Sequence, residues 1–287
     1  MTPDSFSDGG LFEGVGPAIR HVQQMVAEGA DGIDVGGEST RPQAAGPVPA
    51  DEEYSRVVPV IAAIRSEFPD VLLSVDTTKG LIARAALDAG ADVINDVSAF
   101  RIDPSIREIV AASGAGVVLM HSRGNVTEMA TYRYADYADD VIEMVRIDLA
   151  RTVDSARAGG IHAECIVLDP GIGFAKRTEH SLRVLARLDR ITRLGFPVMI
   201  GVSRKRFIGE LSGVRVPSRR VAGTIGANVM ALAAGARLFR VHDVGPNRQA
   251  LDVAWAVMRA SQANAGGRHS DSPPLDSGGH PSIPDSR

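Results

Sequence analysis

Two acids, Asp76 and Asp169, each close a short apolar run, and Asn95 closes a third beside Asp96. A carboxylate facing the N–H edge of a nitrogen heterocycle can accept two parallel hydrogen bonds, and an amide can both donate and accept. The set suits a flat, nitrogen-rich ring. The plainer alternative for each residue is a helix cap or a closed turn; three on neighbouring strands favour the ring. A second group is cationic. Lys205 lies in Ser203-Arg204-Lys205-Arg206, and Arg240 and His242 alternate along Phe239-Arg240-Val241-His242-Asp243, so a period of two sends both to one side of a strand. Thr40 and Arg41 occupy a long loop between Glu38 and Pro49. One basic tetrapeptide alone reads as a solvated surface, but cations at two strand ends and in a loop read as a phosphate or diphosphate site.

His121 and Met120 end a further run, where a lone histidine is better read as a structural hydrogen-bonding residue than as a general base. Met120 and Phe174 are either apolar walls for a ring or simply core. No Ser/His/Asp triad order, His-Glu-x-x-His helix or Gly-x-x-x-x-Gly-Lys-Ser/Thr loop is present, so hydrolase and nucleotide-kinase readings lack their parts.

The elements that must position these residues follow one grammar: an apolar run too short for a helix, a polar carboxyl end, then a turn. It recurs at Ile33 to Ser39, Leu72 to Thr77, Val93 to Ser98, Val117 to Ser122, Cys165 to Lys176, Val198 to Arg204 and Leu238 to Asp243. The pattern predicts strands near 32–36, 71–76, 93–97, 116–121, 165–169, 197–202 and 237–241. Helices are predicted near 15–28, 50–67, 80–89, 104–113, 135–158, 178–194, 217–234 and 247–262. Gly29, Gly90, Gly114 and Gly235 mark one repeated helix-to-strand junction. Such units argue for a parallel sheet with helices outside. Polar tips gathered at one end argue for a TIM (β/α)₈ barrel, with an open doubly wound sheet as the alternative.

With 287 residues and 44% hydrophobic content the chain can bury a large core, and a net charge of −4 gives no global field for nucleic acid. The single cysteine, Cys165, excludes a disulfide framework and a Cys-based zinc site. No apolar run approaches a membrane span and the first residues lack a signal-peptide pattern, so a soluble cytoplasmic protein is expected. A barrel domain is expected over 1–262 and a disordered Ser, Pro and Gly-rich tail, holding His269 and His280, over 263–287.

Seven motifs in order carry a resemblance to the dihydropteroate synthase family of pterin-binding TIM barrels: Thr2-Pro3-Asp4-Ser5-Phe6-Ser7-Asp8-Gly9-Gly10, Gly37-Glu38-Ser39-Thr40-Arg41-Pro42, Ser74-Val75-Asp76-Thr77, Asn95-Asp96-Val97, Asp169-Pro170-Gly171-Ile172-Gly173-Phe174, Ser203-Arg204-Lys205 and Arg240-Val241-His242-Asp243. The resemblance runs from Thr2 to about Met258. It implies condensation of 6-hydroxymethyl-7,8-dihydropterin diphosphate with 4-aminobenzoate. It also implies a pterin site at Asp76, Asn95, Asp169 and Lys205, and a diphosphate site at Thr40, Arg240 and His242 with Arg41 alongside. Phe6, Pro42 and Ser203 match positions around the aminobenzoate, and Met120, Gly201 and Phe174 match the ring pocket. Lys205, Arg240 and His242 are the expected catalytic cations.

The resemblance further implies Mg²⁺ on the diphosphate, loops 2–10 and 38–49 that order over the substrates, and a homodimer through the outer helices. The family's metal-contacting asparagine ends a strand that would lie upstream of Met1, so the barrel is expected to lack its first strand and to hold no metal ligand within this chain. A silent pterin-binding paralogue is the alternative which that gap favours. A methyltransferase moving a methyl group from methyltetrahydrofolate to a corrinoid protein is disfavoured, because it has no use for Thr40, Arg41, Lys205, Arg240 and His242 together.

Overall fold

The computed structural model describes residues 14–38, 47–138 and 140–266. Expectations about the two ordering loops, Phe6, Thr40, Arg41, Pro42, the first strand and the tail beyond 266 fall wholly or mainly outside these residues. Seven parallel strands are present among them: β1 (Gly32–Gly36), β2 (Leu72–Asp76), β3 (Val93–Asp96), β4 (Gly116–Met120), β5 (Ile166–Asp169), β6 (Met199–Ile200) and β7 (Leu238–Phe239). β1 to β5 pair in sequence order, and so do β6 and β7. A bridge from Leu168 to Val198 joins the two sets. A doubly wound sheet needs a strand order that reverses. Here the order never reverses, and the fold is a TIM barrel.

Alternation along the strands separates two environments. Ile33, Val35, Leu73, Val75, Ile94, Val117, Leu119, Ile166, Leu168, Val198 and Ile200 are buried in one apolar cluster with the helices. The residues between them, including Asp34, Ser74, Asp76, Asn95, Met120 and Asp169, take the opposite face by the period of two. The helices are α1 (Val15–Ala27), α2 (Ala50–Glu67), α3 (Gly80–Asp88), α4 (Ser105–Ser113), α5 (Val141–Ala158), α6 (Thr178–Ala186), α7 (Asp189–Thr192), α8 (Arg206–Ser212), α9 (Val221–Ala233) and α10 (Val244–Gly266). They reach the next strand through the glycine junctions, and Gly29, Gly90, Gly114 and Gly235 all take positive φ, between 69° and 108°. That left-handed turn is cheap only for glycine, which explains the repeat.

Several boundaries differ from expectation. The helix predicted over 135–158 starts at Val141, because the Asp140 carboxylate accepts from the backbone N–H groups of Ile142 and Glu143 at 3.1 Å and caps it. The stretch 178–194 divides into α6 and α7, and 217–234 into a 3₁₀ turn at Pro217–Arg219 followed by α9. The strands predicted at 197–202 and 237–241 shrink to β6 and β7, leaving their polar ends as loop. α8 was hidden by the basic run before it. α10 runs to Gly266, past the predicted boundary at 262. Cys165 sits in a 3₁₀ turn before β5, its thiol 3.7 Å from the Gly114 carbonyl oxygen.

Candidate active site

The carboxyl ends of the strands bring the acids together with two of the cations. Arg240, which follows β7 and is still tied to β6 through its N–H to the Ile200 carbonyl at 2.9 Å, points its guanidinium at acids of β1 and β2. Its Nε donates to Asp34 Oδ2 at 2.6 Å and its Nη2 to Asp76 Oδ2 at 3.0 Å. Asn95 Nδ2 donates to the same Asp34 oxygen at 3.3 Å. Asp169 accepts from the Gly171 N–H at 2.7 Å, and an added Cβ on Gly201 would sit at ordinary contact distance between Asp169 and Arg240. Gly201 thus keeps the space between these two groups clear.

Lys205 completes the constellation. Its Nζ donates to the Ile172 carbonyl and lies 4.2 Å from the centre of the Phe174 ring, a cation–π contact. Beside it, Met120 is buried with Val97 and Met129 in a small apolar cluster against which Phe174 packs. This group forms an apolar wall next to the polar floor. Ser203 and His242 meet at the adjoining loops: the Ser203 hydroxyl accepts from the His242 N–H at 3.1 Å and lies 2.9 Å from its Nδ1. Because β7 stops at Phe239, strand alternation does not carry through to His242. The two contacts to Ser203 help to hold His242 beside the site.

The electrostatics follow from burial. Asp76 is pushed up to about 7, by burial first, with Arg240 opposing and Asp34 adding. Burial acts on Asp34 in the same sense, but Arg240 outweighs it and holds that carboxyl below its ordinary value. Asp169 is raised by burial against the pull of Lys205 and the Gly171 N–H. Lys205 is lowered to about 8 by burial, with Asp169 resisting and Arg240 adding. The site therefore holds two groups that titrate near neutrality, a pattern found where charge is put to use.

Asp34 went unnoticed in the sequence because it lies inside β1 and not at its tip. A charge at the middle of the alternating Ile33-Asp34-Val35 is tolerable only where it faces the barrel interior, and that was the available signal. Of the basic tetrapeptide, Lys205 is the one whose charge acts on the pocket acid Asp169. Arg204 pairs with Asp243 at 2.5 and 2.9 Å, and the Arg206 guanidinium lies 3.8 Å from the centre of the Tyr132 ring. His121 is a structural residue here, with its Nδ1 2.9 Å from Lys176 Nζ and its Nε2 3.3 Å from Asp148 Oδ2. Burial, with Lys176 nearby, lowers it to about 4, so it is neutral at pH 7.

Among the described residues no group of three His, Cys, Asp or Glu side chains is placed to hold a metal ion. The arrangement can grip a flat ring by its N–H edge with three carboxylates and an amide, stack it against Phe174 and Met120, and present cations to charge on its substituent.

Comparison with known proteins agrees with this geometry. A model of the family described as pterin binding enzyme matches residues 1–242. The dihydropteroate synthase of Synechocystis is 45% identical over 90% of this chain and 88% of its own. A solved structure of the Xanthomonas albilineans dihydropteroate synthase with 4-aminobenzoic acid superposes with a TM-score of 0.81 at 45% identity, over 90% of each chain. The same organism's enzyme in complex with 7,8-dihydropteroate gives 0.78 at 42% identity, over 89% of this chain and 90% of that one.

Proposed function

Because the chain belongs to the pterin binding enzyme family, we propose that it works as a dihydropteroate synthase, a transferase of folate biosynthesis. It joins 6-hydroxymethyl-7,8-dihydropterin diphosphate to 4-aminobenzoate and releases diphosphate. The observation that carries this reading is the acid set Asp34, Asp76 and Asp169, with Asn95, held around Arg240 and beside Lys205. A pterin presents N–H donors along one edge, which these acceptors match, and a carbonyl that a lysine ammonium can meet.

The chemistry needs no strong base. The amine of 4-aminobenzoate is neutral at pH 7 and attacks the methylene carbon directly. The new C–N bond forms as the C–O bond to diphosphate breaks; the leaving group takes the electron pair and the amine gives its proton to solvent. The protein's tasks are orientation and stabilisation of negative charge on the departing oxygen. Lys205, Arg240 and His242 are assigned to that charge, with Thr40 and Arg41 alongside. Asp76, Asn95 and Asp169 hold the pterin edge, while Met120, Gly201 and Phe174 line the ring. Phe6, Pro42 and Ser203 are assigned to the aminobenzoate. Arg240 is already balanced by two carboxylates, so it acts on the diphosphate while it also fixes the acids in place.

A homodimer through the outer helices is supported by apolar side chains left in the open on α9 and α10, among them Met230, Val253 and Val257. Sedimentation in solution tests it. A cytoplasmic location is consistent with the described helices, none of which is long and apolar enough to cross a membrane. The activity is tested by a coupled assay for diphosphate release with both substrates. Release that depends on 4-aminobenzoate supports the synthase; release without that dependence, or none, rejects it.

A further inference from the structure

The loop that carries Asp169 is shaped from behind by a buried amine. Gly171, Gly173 and Ala175 all take positive φ, at 65°, 78° and 46°. For alanine this region is strained and persists only where surroundings impose it. Part of the restraint is the Ala175 N–H bond to the Met129 carbonyl at 2.6 Å. The rest is Lys176, a lysine 1% exposed that makes no ion pair among the described residues. Its Nζ donates to the Gly171 carbonyl at 3.1 Å and the Phe174 carbonyl at 3.2 Å, and meets His121 Nδ1 at 2.9 Å.

Those two carbonyls bracket everything functional in the loop. The N–H of Gly171 orients the Asp169 carboxylate, the carbonyl of Ile172 receives Lys205, and the Phe174 ring lies against that same ammonium. We propose that Lys176 is a positioning residue for the pterin pocket. It touches no substrate, and acts by fixing the Gly171 and Phe174 carbonyls on which the placement of Asp169, Lys205 and the Phe174 ring depends. The proposal rests on the synthase reading only for the identity of the ligand.

Burial of Lys176 has a price: it draws the amine's pKa well below the ordinary value, with Asp169 opposing, Lys205 and Arg123 adding, and Asp148 opposing. In either charge state two N–H groups remain for the two carbonyls. An ammonium donates its third N–H to His121 Nδ1 and leaves Nε2–H to donate to Asp148, whereas a neutral amine would accept from Nδ1–H and leave Nε2 bare before that carboxylate. His121 is in turn steadied by Asp148 on α5, which is also 3.7 Å from Arg123, whose guanidinium covers the buried Tyr137 ring at 4.1 Å. This chain of contacts runs from the pocket loop to an outer helix.

The test compares the full-length protein with Lys176→Met, which keeps the unbranched stem as far as its fourth atom and removes the N–H groups. Val153→Ala on α5 serves as a control for general loss of core packing. Binding of 6-hydroxymethyl-7,8-dihydropterin diphosphate is measured by calorimetry, and the KM for 4-aminobenzoate by diphosphate release. Misplacing the loop should weaken the pterin Kd about tenfold, leave the aminobenzoate KM within about twofold, and leave the control's pterin Kd unchanged. A folded Lys176→Met with an unaltered pterin Kd, or an equal loss in the control, overturns the inference. Should Lys176→Met fail to fold, Asp148→Ala, altered at a partly exposed position, is expected to weaken the pterin Kd about twofold to threefold by loosening His121. No change there overturns it as well. A wild-type chain that binds the pterin diphosphate without aminobenzoate-dependent turnover sinks the synthase reading while leaving the calorimetric comparison decisive; a wild-type chain that does not bind it sinks both.

Discussion

The Nε of Arg240 lies 2.6 Å from Oδ2 of Asp34, although the two residues stand 206 positions apart. The contact ties the segment after β7 to β1, two strands that share no ladder among the described residues. It also decides the charge of the pocket, because the guanidinium that satisfies Asp34 must serve Asp76 as well.

That sharing sets the pH dependence. The pterin edge needs Asp76 ionised and the leaving group needs Lys205 charged, and these groups titrate at about 7 and about 8. The kcat/KM for the pterin diphosphate is therefore expected to rise through about 7 and fall through about 8, as a coupled, macroscopic bell. Asp34→Asn removes a charge that raises Asp76 and should move the acid limb to lower pH, while Lys205→Arg should abolish the alkaline limb. A profile flat from about pH 6 to about pH 9 defeats both assignments.

Stability should carry the mark of Asp76 too. Its carboxyl is at about 7 in the folded chain against 3.8 ordinarily, so the native state keeps a proton that the unfolded state has released. The stabilisation is full below about pH 4 and is lost as pH rises through about 7. Lys205 adds pH dependence only above its own value of about 8, and the stabilisation from the lowered Asp34 is present above 3.8 and lost only as pH falls below it, so neither changes across this window. Denaturant titrations of wild type and Asp76→Asn should show the wild type losing stability relative to the variant between about pH 4 and about pH 7. A constant difference across that range would count against the buried, raised carboxyl.

Removal of either cation should discriminate between the substrates. Lys205→Ala and Arg240→Ala are expected to lower kcat/KM for the pterin diphosphate about a hundredfold and to affect the aminobenzoate KM much less. Steady-state kinetics with each substrate varied in turn decides the point. Equal losses for both place these cations elsewhere.

Two glycines of similar φ should respond very differently to alanine. Gly171 has φ 65°, and a Cβ there would run into the His121 carbonyl oxygen. Gly213, at φ 73°, has nothing within 4 Å of that position. Gly213→Ala should cost only the left-handed backbone penalty, about 1–2 kcal/mol. Gly171→Ala should add backbone displacement and exceed about 4 kcal/mol, in the range of the severe single substitutions. Similar midpoints for the two variants in urea would mean that the loop moves aside freely.

Much of this site was legible in the chain because barrel chemistry sits at strand ends, and strand ends are marked by the change from an apolar run to polar residues. Asp76, Asn95, Asp169 and Lys205 were visible for that reason. Asp34 was not, because its inward direction depends on a sheet that closes around it. Lys176 was equally opaque: a lysine following Gly-Phe-Ala looks solvated until the fold buries it, and the histidine read as structural, His121, showed no sign of it as a partner. The helix boundaries that moved, at Asp140 and near Arg187, turned on a cap and a local break that apolar periodicity does not register.

Cys165 is the chain's sole thiol, it is half-buried, and it opens β5 at the end away from Asp169. Three residues separate the two, and the four steps of extended chain span about 13 Å. One maleimide fluorophore or spin label would therefore attach at a unique address on the floor of the barrel, clear of the substrates and on the very strand that delivers the acid. Events at the mouth could then be followed spectroscopically in the native sequence, with no cysteine to be engineered in or removed.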